Sequence, residues 1–211
     1  MADPQIRPPL QRRSQESFER VVQAGLELLQ EAGFEGFTLQ EVSRRAKVSI
    51  GSIYARASSK ESLILAIYDR EMERIAAEQE RIAAASHRAG LSSRELVETL
   101  VREMAEIMLG HAASLRVFMH RSAIDPEIWR RGSERSHVLA QVFETSLLEH
   151  AGELSHPDPE LAIDVTYRFV YAALARRITH GPLFESPRET SDQELVRELA
   201  TAAADYLLAP R

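Results

Sequence analysis

The side chains best suited to contact nucleic acid lie close together, between Thr38 and Lys60. Hydroxyl, phenol, ammonium and guanidinium groups recur there, and each can donate a hydrogen bond to a phosphate oxygen or a base edge. Five cations stand in this window against one acid, Glu41, although the whole chain has a net charge of −6. The local excess predicts contact with a polyanion, although an ordinary solvated surface would show the same excess.

Residue patterns typical of catalysis or metal binding do not occur in the sequence. The chain has no cysteine, which excludes disulfides, thiolate zinc sites and cysteine nucleophiles. Its seven histidines never stand at His-x-x-x-His or His-Glu-x-x-His spacing, and there is no Gly-x-Ser-x-Gly or phosphate-binding glycine loop. We therefore expect a protein that is not an enzyme and holds neither metal nor cofactor.

Composition indicates a folded, cytoplasmic chain. Apolar residues make up 44% and charged residues 27% of the sequence, as in ordinary globular proteins. The first ten residues contain no apolar signal core, and no segment approaches the ~18 uninterrupted apolar residues of a membrane span. We expect no export and no membrane contact.

The elements that must hold the polar side chains are helices near the amino terminus. Apolar residues recur at helical spacing from Phe18 to Ala32, and Gly33 follows where a helix would stop. Residues 38–41 have the capping-box pattern Thr-Leu-Gln-Glu, which predicts a second helix.

That second helix should end near Ala46, because Ser49 is a good N-cap for a third helix that runs to about Arg56. Two short helices joined by a tight turn form a helix-turn-helix, whose second helix enters the major groove of DNA. Val42, Val48 and Ile53, together with Ala46, are spaced to form its small core.

Beyond residue 57 the apolar pattern stays helical to the carboxyl terminus. Capping boxes are predicted at 58–61, 92–95 and 191–194, and Asp125 is an N-cap followed by proline. No alternating strand pattern is present. The sequence therefore predicts an all-α fold of about nine helices.

The segment from Phe37 to Glu61 resembles the DNA-binding signature of the TetR family of regulators; it reads FTLQEVSRRAKVSIGSIYARASSKE. The motif match covers about residues 17–68, and beyond it the similarity is one of length and helical layout. Two residues depart from the family pattern. Lys47 replaces the usual turn glycine, at a cost of roughly 1 kcal/mol in a left-handed conformation, and Ala57 replaces an aromatic residue.

The resemblance implies roles for individual residues. Thr38, Tyr54 and Lys60 fall at positions that usually touch phosphates, and the segment from Ser49 to Arg56 at positions that usually face bases. Arg56 could contact guanine and Ile50 a thymine methyl. The full expected DNA-binding set is Thr38, Lys47, Ser49, Ile50, Gly51, Ser52, Tyr54, Arg56 and Lys60.

The resemblance also implies three segments: a flexible arm at 1–13, a three-helix DNA-binding domain at 14–62, and a helical domain at 63–211 for effector binding and dimerisation. Adaptable apolar side chains in the third segment are implied, as a set, to line an effector pocket, although each taken alone is more typical of ordinary core. They are Met72, Met104, Met108, Phe118, Trp129, Phe143, Tyr167 and Tyr171.

The last two helices, expected at 159–180 and 192–208, resemble the pair that forms the family's four-helix dimer interface. Asp164 and Arg168, one helical turn apart, could pair with each other, lie in the dimer interface or orient a ligand. The residues expected in the interface are Val170, Leu174, Leu195, Leu199, Ala203 and Tyr206.

The function implied is that of a homodimeric repressor, which binds a palindromic operator in double-stranded DNA and is released by a small-molecule effector. Two other classes fit the sequence less well. One is a helical adaptor that binds proteins and no DNA, and the other is an all-α enzyme.

Overall fold

The structure is a computed structural model that describes residues 10–85 and 88–209. All regular elements in these ranges are helices, which confirms the expected all-α fold of about nine helices. In chain order they are α1 (Leu10–Gly36), α2 (Leu39–Ala46), α3 (Ile50–Tyr54), α4 (Lys60–Ala85), α5 (Ser93–Gly110), α6 (Ala112–Ser122), α7 (Pro126–Leu148), a 3-10 turn (Ala151–Glu153), α8 (Pro159–His180) and α9 (Asp192–Leu208).

The chain divides into two compact units between Arg74 and Ile75, within α4. Of the arm expected at 1–13, residues 1–9 lie outside the described residues, and 10–13 belong to α1. The helical backbone of α1 is interrupted at Gly33, whose φ is 64°. The sequence predicts the end of the first helix at this glycine. A left-handed backbone conformation there costs little free energy only in a residue without a side chain.

The first unit is built around the second and third helices of the chain. α2 packs on α1, and α3 packs on α2. Phe37, Val42 and Ile53 are completely buried, and Ala57 is also buried, so the small residue at the family's aromatic position still faces the interior. Val48, expected in the same core, is only half-buried.

The caps of these helices differ in detail from expectation. Thr38 caps α2 by accepting the Glu41 backbone N–H at 3.2 Å, but the Glu41 carboxylate binds arginines instead of completing a capping box. At the start of α4 the reciprocal pair is Ser59 with Ser62, at 2.9 and 3.1 Å, one residue later than predicted. The boxes that begin at Ser92 and Ser191 are confirmed in full.

The turn between α2 and α3 depends on Lys47. This residue adopts a left-handed conformation, φ 54° and ψ 43°, and it is the only described non-glycine residue with positive φ. The turn closes through Ser43, whose hydroxyl donates to the Val48 carbonyl at 2.7 Å. The departure from glycine therefore leaves the turn geometry intact and stores strain at one residue.

Replacing Lys47 tests that strain. Lys47→Gly relieves the left-handed penalty but gives the unfolded chain more freedom, so we expect unfolding free energy to rise by about 0.5 kcal/mol. Lys47→Ala removes the same charge without relieving the strain, so its free energy of unfolding should stay close to that of the original protein and below that of Lys47→Gly. Thermal melts of both variants make the comparison, and equal stability of the two would contradict a strained turn.

The second unit has one continuous apolar core. α5 packs against α9 and α8, and α7 packs against α8. Val97, Val101, Ile163 and Leu207 are completely buried there. α8 contacts α5, α6, α7 and α9, as its apolar residues on nearly every side predicted.

Burial corrects part of the expected dimer interface. Val170, Leu174 and Ala203 are 0% exposed within the single chain, so their assignment to a subunit surface is wrong. They belong to the core between the helices of the same unit. The other three expected residues, Leu195, Leu199 and Tyr206, lie on α9 and are only partly buried.

Candidate functional site

The exposed face of α3 carries most of the expected DNA contacts. Ile53 is completely buried and anchors the helix, while Tyr54 is 51% exposed and Ile50 37% exposed. Ser49, Gly51 and Ser52 are exposed as well. An amphipathic single turn of this kind presents small and polar groups outward, as a helix that enters a DNA groove must.

The two serines of α3 are linked at its first turn. Ser49 caps the helix by accepting the Ser52 backbone N–H at 3.2 Å, and the two hydroxyl oxygens lie 2.7 Å apart. Each hydroxyl can accept and donate. One proton of the pair is therefore available to an acceptor on a bound molecule.

Two of the five cations between Thr38 and Lys60 are held by carboxylates. Glu41 accepts two hydrogen bonds from Arg44, at 2.8 and 2.6 Å, and one from Arg45 at 2.8 Å. Arg45 also donates to Glu31 on α1 at 2.7 Å, which ties α2 to α1. These hydrogen bonds, first from Arg44 and then from Arg45, lower the pKa of Glu41 to about 2. The carboxylate stays charged at neutral pH and offsets much of the local positive charge.

The other three cations differ in their surroundings. Lys60 donates to the Phe34 carbonyl at 2.9 Å and lies half-buried. Arg56 donates to the Ser14 hydroxyl at 2.6 Å, and its guanidinium lies 5.2 Å from the centre of the Phe18 ring. Lys47 is exposed, and its ammonium makes no hydrogen bond to the part of the chain that the structure describes.

Of the nine residues expected to contact DNA, all except Lys60 are exposed. Sequence reasoning did not find the contribution of α1, where Ser14, Ser17 and Arg20 lie beside the α2–α3 turn. Their spacing of three residues puts them on one face of a helix. This spacing could have revealed the polar face of α1 from the sequence. It begins before Phe18, however, where the apolar pattern that predicts the helix starts.

The aromatic and methionine side chains expected in an effector pocket are partly gathered in the second unit. Met104, Met108, Phe143 and Tyr167 belong to its core, with Tyr171 packed against it. The Tyr167 ring lies 5.9 Å from Phe143 and 5.8 Å from Tyr171, centre to centre. These are the packing distances of ordinary core aromatics, so their role as ligand contacts stays a prediction.

The Tyr167 hydroxyl donates to the Ser136 carbonyl at 2.9 Å and lies 3.0 Å from the Ser136 hydroxyl. Burial raises the pKa of Tyr167 to about 12, so the phenol stays neutral at physiological pH. It is a polar group at the edge of an apolar cluster. The hydroxyls of Tyr167 and Ser136 therefore lie side by side next to aromatic rings.

Three members of the expected pocket lie elsewhere. Trp129 is 60% exposed on α7, so its assignment to an enclosed pocket is wrong. Phe118 is buried on α6 outside the core cluster that holds the other pocket residues. Met72 is buried on α4, in the first compact unit.

The Asp164 and Arg168 side chains form the expected pair on α8. Arg168 Nε donates to the Asp164 carboxylate at 2.7 Å, and this bond raises the pKa of Arg168. Both side chains are exposed. The first of the three alternatives is therefore observed, and the pair remains accessible to a partner.

One grouping resembles hydrolase chemistry by residue type but not by geometry. Ser93 donates to Glu153 and lies 3.3 Å from His150 Nδ1. The same ring nitrogen faces Glu153 at 3.7 Å, whereas a catalytic histidine uses opposite nitrogens for serine and carboxylate. The Ser93 side chain is also buried at the start of α5. The geometry is that of a structural contact.

Two family models match the chain. The model "Bacterial regulatory proteins, tetR family" matches residues 21–67, which include all of α2 and α3. The model "Tetracyclin repressor-like, C-terminal domain" matches residues 93–207, from α5 to α9. The chain therefore belongs to the TetR family of bacterial regulatory proteins, and the helix-turn-helix lies in the part that the first model matches.

Relatives and solved structures agree with this family. The "HTH-type transcriptional repressor KstR" of Mycolicibacterium smegmatis is 30% identical over 50% of this chain and 52% of its own. The "A-factor receptor protein" of Streptomyces griseus is 33% identical over 33% of this chain and 25% of its own. The matched part of the chain thus spans about half of the length of the first relative and a quarter of the length of the second. A TetR-family regulator from Mesorhizobium loti has the same fold, with a TM-score of 0.71, 17% identity, and 92% of this chain and 96% of that chain covered.

Regulators of this family are generally DNA-binding proteins without enzymatic activity. Within the described ranges, no helix is both long and apolar enough to cross a bilayer.

Proposed function

We propose that this chain is a cytoplasmic, homodimeric repressor that binds a palindromic operator through α3 and leaves it when a small molecule binds the second unit. The observation that carries the proposal is the surface of α3. Ile53 fixes the helix from inside, while the serines and Tyr54 remain exposed. This arrangement supports insertion into the major groove, with phosphate contacts at the edges from Thr38, Tyr54 and Lys60.

The dimer would form through the outer faces of α8 and α9. Phe169 on α8 meets Tyr206 on α9 edge to face, with ring centres 6.2 Å apart. Exposed alanines flank this contact, Ala172 on α8 and Ala202 on α9, and Leu199 lies partly buried beside them. Small residues beside an apolar ridge allow two such helix pairs to approach closely. A two-fold dimer presents two copies of α3 to one side of DNA, which is the reason to expect a palindrome.

The effector would be a small, largely apolar molecule. The second unit offers methionine and aromatic side chains with few polar groups, among them the Tyr167 hydroxyl. The two relatives are named a repressor and a receptor, which favours repression relieved by a ligand. Induction would follow if the ligand binds better to the dimer geometry in which the two α3 helices are wrongly spaced for the operator.

Selection of binding sites from random DNA with the purified protein tests the proposal directly. A recovered palindrome, bound with an affinity that falls as salt rises, is the expected result. A helical adaptor would recover no preferred sequence and would not retard the DNA that flanks its own gene.

Tyr54→Ala tests how α3 docks. The phenol is assigned to a phosphate, so we expect its loss to weaken binding about tenfold on operator and unrelated DNA alike. Ser52→Ala is the matched variant from the same helix, and it should instead change which operator sequence is preferred. Mobility shifts on a panel of single-base operator variants separate the two effects. Unchanged affinity after Tyr54→Ala would show that α3 docks differently.

A further inference from the structure

A cleft of about 410 Å³ opens between the amino-terminal turns of α1 and the α2–α3 turn, within the first compact unit. Its lining includes three cations, Arg20, Lys47 and Arg56, and none of the described residues that line it is acidic. The carboxylate of Glu41, which holds the arginines of α2, is not part of the lining. A concave surface with several cations and no carboxylate favours an anion.

Four serines also line the cleft, and the two from α1 add hydroxyl donors to the donors of the cations. Ser14 and Ser17 come from α1, while Ser49 and Ser52 come from the first turn of α3. Hydroxyl and guanidinium donors together are typical of protein contacts to phosphate oxygens. Because Ser49 and Ser52 also belong to the exposed face of α3, the cleft adjoins the surface that would meet DNA.

Arg56 is held toward this cleft by α1. Its Nη2 atom donates to the Ser14 hydroxyl at 2.6 Å, and the guanidinium packs over the Phe18 ring at 5.2 Å. A guanidinium has five N–H donors, so these two contacts leave donors for an anion. To reach a base edge, in contrast, the side chain would have to give up both contacts with α1.

Lys47 supplies an independent argument. The residue is kept in a left-handed conformation that glycine would adopt without strain, and it is exposed and lines the cleft. Residues with a strained backbone of this kind tend to occur at functional sites.

We propose that the cleft binds one phosphate group of the DNA backbone, and that Arg56 is a ligand of that phosphate and not a reader of bases. The proposal rests on the DNA binding proposed above. A phosphate clamped between α1 and the α2–α3 turn would fix the angle at which α3 enters the groove. Its effect on affinity would be the same for every sequence, because all sequences carry the same backbone.

The first test compares Arg56→Ala with Arg44→Ala on operator and unrelated DNA. Arg44 is the matched control, since it is a cation of the same unit outside the cleft, already paired with Glu41. We expect Arg56→Ala to weaken binding about tenfold on both DNAs. It should also reduce the magnitude of the slope of log affinity against log salt concentration by about one. Arg44→Ala should change affinity by less than about threefold. Thermal melts establish that both variants fold.

The second test identifies the phosphate. Operator duplexes are made in which each backbone phosphate in turn is replaced by a neutral methylphosphonate. For the original protein, a methylphosphonate at one position in each half-site should lower the affinity. The same methylphosphonate should have no effect on the affinity of Arg56→Ala, but it should still lower the affinity of Arg44→Ala. Ser14→Ala, which removes only the partner of Arg56, should reduce the same sensitivity in part and leave base preference unchanged.

The outcomes separate this proposal from the proposed function. If the original protein binds no DNA with sequence preference, the proposed function fails. If it binds an operator but Arg56→Ala alters base preference with an unchanged salt slope, the cleft proposal alone is overturned. The same holds if inorganic phosphate, at constant ionic strength, displaces DNA while no methylphosphonate position depends on Arg56, because the cleft would then bind free phosphate.

Discussion

Ala172→Glu is expected to convert the dimer into a folded monomer and to weaken operator binding on the order of 100-fold or more. Ala172 is exposed on α8, three residues after Phe169, and so lies on the face proposed to meet the second subunit. A carboxylate buried between two copies of this face would have no partner and would lose its hydration. Operator affinity falls steeply because each α3 then binds alone, without the second half-site.

Light scattering gives the mass, and mobility shifts on whole and half operators give the affinity. The matched control is Ala113→Glu, which introduces the same carboxylate at an exposed alanine in the first turn of α6. That variant should remain a dimer with unchanged operator affinity. A dimeric Ala172→Glu protein would place the subunit contact on another face.

The helix-turn-helix was predictable because its signals are local in sequence. Thr38 and Ser49 are caps that act on backbone groups three residues away, and the structure shows both hydrogen bonds. The final two helices were also placed correctly, at Pro159–His180 and Asp192–Leu208, because an Asp-Pro start and a serine capping box mark their beginnings. Local hydrogen bonds of this kind do not depend on what the rest of the chain does.

The faces of α8 could not be assigned in the same way. Its apolar residues surround the helix, so periodicity does not distinguish the side that meets the core from the side that meets a partner. The sequence resemblance puts Val170 and Leu174 on the partner side, but both are completely buried within the chain. Only packing against four other helices decides which residues remain outside.

The direction of Arg56 depends on contacts distant in sequence. Its hydrogen-bond partner, Ser14, stands 42 residues earlier, and the ring under its guanidinium is Phe18. Sequence placed Arg56 on the recognition helix, where an outward base contact was the natural expectation. The packing of α1 against the helix-turn-helix turns the side chain toward the cleft instead.

Leu174→Ala tests whether Leu174 belongs to the core or to the dimer interface, since the sequence resemblance implies the interface and the structure buries the side chain within one chain. The side chain is 0% exposed in the core of the second unit, so its truncation leaves a cavity that the surrounding helices cannot close. We expect the free energy of unfolding to fall by about 2 to 5 kcal/mol. Because the lost contacts lie within one chain, the fall should be the same at low and high protein concentration.

Leu183→Ala is the matched control, since it is the same substitution in the same unit at a residue that is 56% exposed in the loop after α8. It should change the free energy of unfolding by less than about 0.5 kcal/mol. Urea unfolding of both variants, followed by circular dichroism at two protein concentrations, makes the measurement. If Leu174→Ala kept its stability at high concentration and lost it only on dilution, Leu174 would act through the subunit contact. The face of α8 that is buried in this structure would then have to meet the second subunit, which the observed packing contradicts.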